Sequence, residues 1–182
     1  MVADLRSVRQ RQSTEPEPEA AVLLNVTADY ERARRRSLQD SLGRYAAMPG
    51  ERNLETLLQN MKPEIHEGVF VFCTIPEDEE IPATIRPVLI FREREGTAFV
   101  VRREEADSVG MPYQFASRLV SLNVHSSLDA VGFLATITAR LADAGISVNA
   151  VSAFYHDHLF VPDHRAVAAL HHLQSMSMPQ SG

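Results

Sequence analysis

Apolar residues recur along the chain in two rhythms, and the change from one to the other marks most of its elements. Val120, Leu122 and Val124 alternate with Ser121, Asn123 and His125, the period-two signature of a half-buried strand. Phe133, Leu134, Ile137 and Leu141 then follow three-and-four spacing while Arg140 and Asp143 fall off that stripe. This predicts an amphipathic helix from Val131 to Ala144 with one face on a sheet. Asp129, or one of the two serines before it, suits the N-cap of that helix, and Gly145 suits the left-handed residue that ends one. Ile146, Val148 and Ala150 restart the alternation as far as Phe154, and Leu159 to Val161 predicts another short strand after the turn-like His156-Asp157-His158. A final helix runs from about Asp163, with Val167, Leu170 and Leu173 on one side. From Arg118 to Met176 the order is strand, helix, strand, strand, helix.

Upstream the pattern is less regular. Leu54, Leu57, Leu58 and Met61 have helical spacing, closed by Pro63. Val69 to Ile75 is a continuous apolar run between Gly68 and Pro76, suited to a buried strand. Glu77 to Pro82 reads as an acidic loop. Pro87 to Phe91 and Thr97 to Val101 read as strands joined around Glu95-Gly96, and Glu104 to Val109 as a short helix ended by Gly110. That half lacks a leading strand. Residues 1–20, with the run Glu-Pro-Glu-Pro-Glu, have little to bury and predict a disordered tail. After the apolar run from Ala21 to Val26, Asp29 to Leu42 predicts a helix dominated by Glu31, Arg32, Arg34, Arg35 and Arg36. Those arginines suit a docking or nucleic-acid patch or a plain solvated face, and the acidic whole favours the solvated face.

A chain of 182 residues, 45% of them hydrophobic, can bury the core of one domain or two small ones. The formal charge of -6 gives no general attraction to nucleic acid or to anionic membranes. One cysteine excludes an intrachain disulfide framework and fits a reducing compartment. No apolar run approaches the roughly 20 residues of a membrane helix, and the N-terminus lacks the apolar core of a secretory signal. The expected location is the cytoplasm. No glycine-rich phosphate loop, GxSxG elbow or dinucleotide fingerprint is present, so no cofactor is expected.

Three places carry chemistry that could make a site. The first is the loop Val124-His125-Ser126-Ser127-Leu128-Asp129. It joins a strand to a helix start, where unpaired amides and the positive end of the helix dipole favour a carboxylate. Gly132 would let a ligand approach the backbone, and Asp129 could meet an ammonium group, unless the serines and Asp129 merely cap the helix. The second is His156-Asp157-His158, whose side chains suit a divalent metal. In an extended segment, however, Asp157 points away from the histidines, and no third ligand announces itself, so a polar hairpin tip touching ligand or partner is the preferred reading. A metal-assisted hydrolase using His156 and His158 is the enzyme alternative. The third is Arg92-Glu93-Arg94-Glu95, which on a strand puts two arginines on one face, as a grip for a carboxylate or as a charged outer surface. Cys73, inside VFVFCTI, reads as a buried structural thiol.

These segments also carry a family resemblance. Gly132-Phe-Leu-Ala-Thr-Ile followed by Leu141-Ala-Asp-Ala-Gly-Ile-Ser-Val resembles the signature of ACT domains. With MPGERNLETLLQNMKPEIHEGVFVFCTIP, FREREG, VHSSLDAVG and FYHDHLFVP in this order, the chain is similar to small stand-alone tandem ACT-domain proteins. Its second half also resembles the ACT modules of Castor-type arginine sensors and of aspartate kinases. The resemblance implies an α+β fold of ferredoxin-like βαββαβ-type modules in tandem, with antiparallel sheets and helices on one face. It divides the chain into an extension (1–47), a degenerate first module (48–113), a second module (114–178) and a tail (179–182). Family members tend to begin at a segment like Met48-Pro-Gly, which makes Met48 an alternative initiator. The implied function is regulatory binding of a small molecule, an amino acid above all, without catalysis. The ligand would lie against Val124, His125, Ser126, Ser127, Leu128, Asp129 and Gly132, with Ser147 and Asn149 at the start of the next strand and His156, Asp157 and His158 nearby. A homodimer, with a metabolic enzyme as possible partner, is implied as well; an interaction scaffold that has lost its ligand is the alternative. The chain departs from the family in having Val131 where many ACT domains carry proline before the glycine.

Overall fold

In the computed structural model the described residues are 34–36 and 49–178, and the chain divides into two units at Pro49. In the first unit, residues 34–36 are helical and exposed. The expectations for residues 1–20 and 21–26, the rest of the helix expected over 29–42 and the tail at 179–182 lie outside the described residues.

The second unit is built on one antiparallel sheet. Its elements in chain order are α1 (Leu54–Asn60), β1 (Glu64–Ile65), β2 (Phe70–Ile75), β3 (Leu89–Glu93), β4 (Gly96–Arg102), α2 (Arg103–Ser108), β5 (Gln114–Ser121), α3 (Phe133–Asp143), β6 (Asn149–Ser152), β7 (Asp157–Pro162), a 3-10 turn (Asp163–Arg165) and α4 (Ala166–Ser177). The strand order is β3-β4-β2-β5-β7-β6, with β1 also paired to β5. This order contains the ferredoxin-like arrangement twice. The second half is β1-β5-β7-β6 and the first is β5-β2-β4-β3, so β5 belongs to both. Its start, Gln114 to Ser117, pairs with β2, whereas Val120 and Ser121 pair with β1.

Alternation along the strands separates the two faces of the sheet. On the helix face, Val120, Leu122, Leu159 and Val161 meet Phe133, Ile137 and Leu141 of α3 and Ala166, Ala169 and Leu173 of α4 in one buried cluster. Leu57 and Met61, from the other end of the sequence, belong to the same cluster. A second cluster on that face joins Val71, Cys73 and Ile75 of β2 to Phe99 and Val101 of β4 under Ala106 of α2. Burial pushes the Cys73 thiol pKa up, as befits a structural cysteine. The opposite face has aromatic packing: Phe72 meets Phe115 and Phe160 edge to face, with ring centroids 5.8 and 5.3 Å apart.

Several expectations need correction. The strand expected from Val120 to Val124 ends at Ser121 and begins earlier, at Gln114. Asn123 has φ +46° and turns the chain out of the sheet, while Leu122 keeps its place in the core because its N–H still reaches Asp157 O at 3.0 Å. The following strand spans only Asn149–Ser152: Ile146 drops into the core and Phe154 lies in the turn. The first half does not lack a leading strand: β2 leads it, and the helix before it packs in the core of the second half, whose sheet β1, two residues long and too short for a period to show, joins through β5. The β3–β4 turn is Arg94-Glu95, so Arg92 is on the strand and Arg94 off it. On α4 the buried stripe is Ala166, Ala169 and Leu173; Val167 is exposed. Small alanines pack closest to the sheet there, which an apolarity count does not register.

Leu57 is fully buried among residues that follow it by more than sixty positions. Leu57→Ala should therefore lower unfolding stability by about 2–5 kcal/mol in urea denaturation, as for other buried leucines. A loss below about 1 kcal/mol would mean that α1 is no part of this core.

Candidate functional site

The loop between β5 and α3 is held by a segment from the start of the second unit. Glu51 N–H donates to His125 O at 2.9 Å, and Ser127 N–H donates to Glu51 O at 2.9 Å. Gly50 makes this approach possible, since a Cβ there would lie 2.4 Å from Ser127 N. The Glu51 carboxylate accepts from the Asn53 and Arg52 amides at 2.7 Å each, and these bonds hold its pKa below the usual carboxylate range. Arg52 Nη2 reaches Asp129 Oδ2 at 2.7 Å, with both side chains exposed.

The start of α3 is bare. Gly132 is its N-cap, at φ +89°, and makes no side-chain capping bond. The expected cap is therefore corrected: Ser126 and Asp129 bond elsewhere, and Ser127 Oγ accepts instead from Asp129 N–H at 3.3 Å. The left-handed turn at position 132, open to glycine with little strain, sets the capping side chains off the helix axis. The first bond inside the helix runs from Thr136 N–H to Gly132 O. The amides of Phe133, Leu134 and Ala135 are thus left without an intrahelical acceptor. These three residues line a small cavity of about 130 Å³, together with Ser126, Ser127, Ser152 and Asp157.

Asp157 is the buried charge of this cavity, with 5% exposure. Ser126 Oγ donates to its Oδ2 at 2.7 Å and Ser152 Oγ to its Oδ1 at 2.6 Å. The carboxylate thereby ties the β5–α3 loop to the end of β6. Each carboxylate oxygen has two lone pairs, so one acceptor direction per oxygen stays open to another donor. The negative charge also lies near the positive end of α3, where it is favoured.

The other expected residues divide between this cavity and its surroundings. Leu128 is exposed but lines the cavity. The Val124 carbonyl is 3.2 Å from His156 Nδ1, and the His125 ring lies 5.3 Å from that of Tyr155. Asp129 is turned to Arg52. Ser147 and Asn149 are exposed; Asn149 starts β6 three residues before Ser152, about 10 Å along the strand, so neither is brought to the cavity. Asp157 and His158 point to opposite faces of β7, as alternation requires. Among the described residues no group of three or more His, Cys, Asp or Glu could hold a metal ion, and the two histidines of the hydrolase alternative bond to different partners. The sequence pointed to the unpaired amides at this helix start but not to Ser152 or the Gly50–Arg52 clamp. Ser152 had a signal in the strand alternation; the clamp joins positions 77 residues apart and had none.

His158 belongs to a separate arrangement on the helix-free face. Ser121 Oγ is 2.7 Å from His158 Nδ1 and 2.7 Å from His66 Nε2. Burial lowers the His158 pKa, the neighbouring His156 and His66 lower it further, and Asp157 works against them. A folded pKa below the unfolded one means that the unfolded chain takes up the proton first as pH falls. The His158 contribution is then intact above about pH 6.5 and is lost on the acid side of it. Stability measured by urea denaturation should fall as the pH drops below about 6.5, and His158→Gln should make that slope shallower. Equal slopes would remove His158 as the cause.

Two matches to family models together span residues 49–175. An ACT-domain family model matches residues 49–118 and a second one matches residues 114–175. No curated protein matches the chain. Among solved structures, a Vibrio cholerae protein of unknown function, described as a possible transport protein, is 38% identical with a TM-score of 0.62; the match covers 69% of this chain and 96% of that one. An Agrobacterium tumefaciens protein is 20% identical with a TM-score of 0.56, covering 64% and 89%. The regulatory subunit of Thermus thermophilus aspartate kinase shares the fold at 14% identity and a TM-score of 0.50, covering 67% and 99%. The two family matches overlap on the first part of β5, the strand that both halves of the sheet share, and the chain belongs to the ACT-domain family as a tandem pair.

Proposed function

We propose that this protein is a sensor that binds a free amino acid in the cavity at the start of α3 and passes the bound state to a partner. ACT domains are regulatory, ligand-binding modules; the amino acid, the site and the partner are the finer reading. One observation supports it: Phe133, Leu134 and Ala135, whose amides have no intrahelical acceptor, and the buried Asp157 line the same small cavity. Amides at a helix N-terminus take a carboxylate, and an acidic side chain takes an ammonium group. An α-amino acid carries both groups on one carbon. Ser126 and Ser152 hold the carboxylate in position, and Ser127, Leu128 and Gly132 line the cavity beside them; Val124, His125, Asp129, His156 and His158 belong to the surroundings of the proposed site.

Ser147 and Asn149 fit this reading as groups presented to the loop of a second copy, in the homodimer that the family resemblance implies. The modules 48–113 and 114–178 would then act as a pair, without catalysis of their own. Among the described residues no helix is long and apolar enough to cross a membrane, and the proposed setting is the cytoplasm beside a metabolic enzyme. Ligand binding regulates only if it favours one arrangement of the modules over another, so the signal equals the difference in affinity between the two.

A thermal-shift screen over the twenty amino acids tests the proposal. A ligand at 100 times its dissociation constant should add about 2.7 kcal/mol of stability. Asp157→Asn should weaken that ligand about tenfold or more in calorimetric titration, a loss of one charge-assisted contact. No shift with any amino acid would leave the pair as an interaction scaffold.

A further inference from the structure

The two halves of the sheet differ in one connection. In the second half α3 crosses from β5 to β6 and buries Phe133, Ile137 and Leu141 on the helix face. In the first half the corresponding link from β2 to β3, residues 76–88, has no helix. Ile85 of this link is buried in the second core cluster, and Ile81 packs partly against it. The layer remains incomplete at the edge of the sheet. Ile90 of β3 pairs with buried Phe99 and shares its face, yet is 53% exposed.

A groove of about 470 Å³ opens at that place. Its apolar lining is Ile75, Ile81 and Ile90. Glu77, Glu79, Glu80 and Glu93 also line it, against Arg92 as the one basic lining residue. The three glutamates of the loop are exposed, so they stay hydrated and contribute field more than desolvation cost.

We propose that this groove docks a basic amphipathic helix of a partner protein, seated where the first half lacks its crossover helix. Apolar residues at i, i+3, i+4 and i+7 would cover Ile90 and Ile81, which supplies affinity by burial. Lysines or arginines flanking that stripe would face the glutamate rim, which supplies association rate and selects against acidic partners. Nucleic acid is repelled by the same rim. A helix of about 11 residues is about 16 Å long, and α3, which fills the equivalent layer in the second half, has 11 residues.

Fluorescence anisotropy on the full chain tests this with a labelled synthetic helix of about 14 residues, leucine on one stripe and lysine beside it. Binding should lie in the micromolar range and fall about tenfold or more on Glu79→Lys with Glu80→Lys, and similarly on Ile90→Asn. All three positions are exposed, and a circular dichroism melt checks that the variants remain folded. A peptide with the same stripe but glutamate for lysine should bind far less. Equal binding of the acidic peptide, unchanged binding by the reversed variant, or no binding of the basic peptide would each overturn the proposal. Concentration-dependent self-association without peptide, abolished by the same reversal, would assign the groove to a second copy and overturn the foreign partner.

Discussion

Everything in the second unit hangs on β5 having to serve both halves of one sheet. Its first residues complete the β2-β4-β3 half and its last residues open the β1-β7-β6 half. A strand with uniform twist would meet both sets of neighbours in one plane. The register shows how that is avoided: Phe70 pairs with Ser117 but Phe72 with Gln114, so β5 uses one residue more than β2 over the same stretch. This is a bulge, which bends the strand and increases its twist. Phe115 takes φ +54° there, a conformation that costs a non-glycine residue about 1–2 kcal/mol. Its ring is held in the aromatic contact with Phe72, and the buried Ser117 hydroxyl donates to Phe70 O at 2.8 Å. Packing and one buried hydrogen bond thus offset the backbone strain where the two modules join.

The other end of β5 determines the candidate site. The strand stops at Ser121 because Asn123 turns, and the loop beyond it must be fixed by something other than the ladder. Three ties do so: the Glu51 backbone on one side, Asp157 through Ser126 on the other, and the turn from Ala130 N–H to Ser127 O at 2.8 Å. None of them uses the first amides of α3. A helix start capped by its own serine would be more stable alone and would offer less to an anion. The serines instead hold a carboxylate, which leaves opposite charges facing one small space. Pre-arranged groups of this kind lower the ordering cost of binding.

The helix stripe of α3, its glycine end and the strands β2, β4 and β7 were legible because each buries one face against its immediate layer. So was the loop from Val124 to Asp129, as the junction of a strand and a helix. What was illegible has a common cause. The place of α1 in the C-terminal core, the Arg52 to Asp129 pair, the two-residue β1 and the double use of β5 are all set by residues far apart in the chain. Local periodicity contains nothing about them. Asp157 is an intermediate case: alternation gave its direction relative to His158, but only the fold shows two serines waiting there.

The asymmetry between halves gives the sheet a direction. One half has a crossover helix and with it an amide-rich helix start; the other has no helix in that link and exposes the floor of its layer. The absence of one element therefore has two consequences in the first half: it offers no such helix start and it leaves an open apolar groove. Between them runs a continuous hydrogen-bonded path, β5 to β2 to β4 to β3. A continuous sheet alone does not make a signal. Coupling requires that a ligand at α3 favour one of two arrangements of this path and that an occupant of the groove favour the same one. If it does, thermodynamic linkage makes the effect mutual: whatever factor the ligand adds to docking, docking adds to the ligand. The bulge at Phe115 lies on this path, where the two halves join.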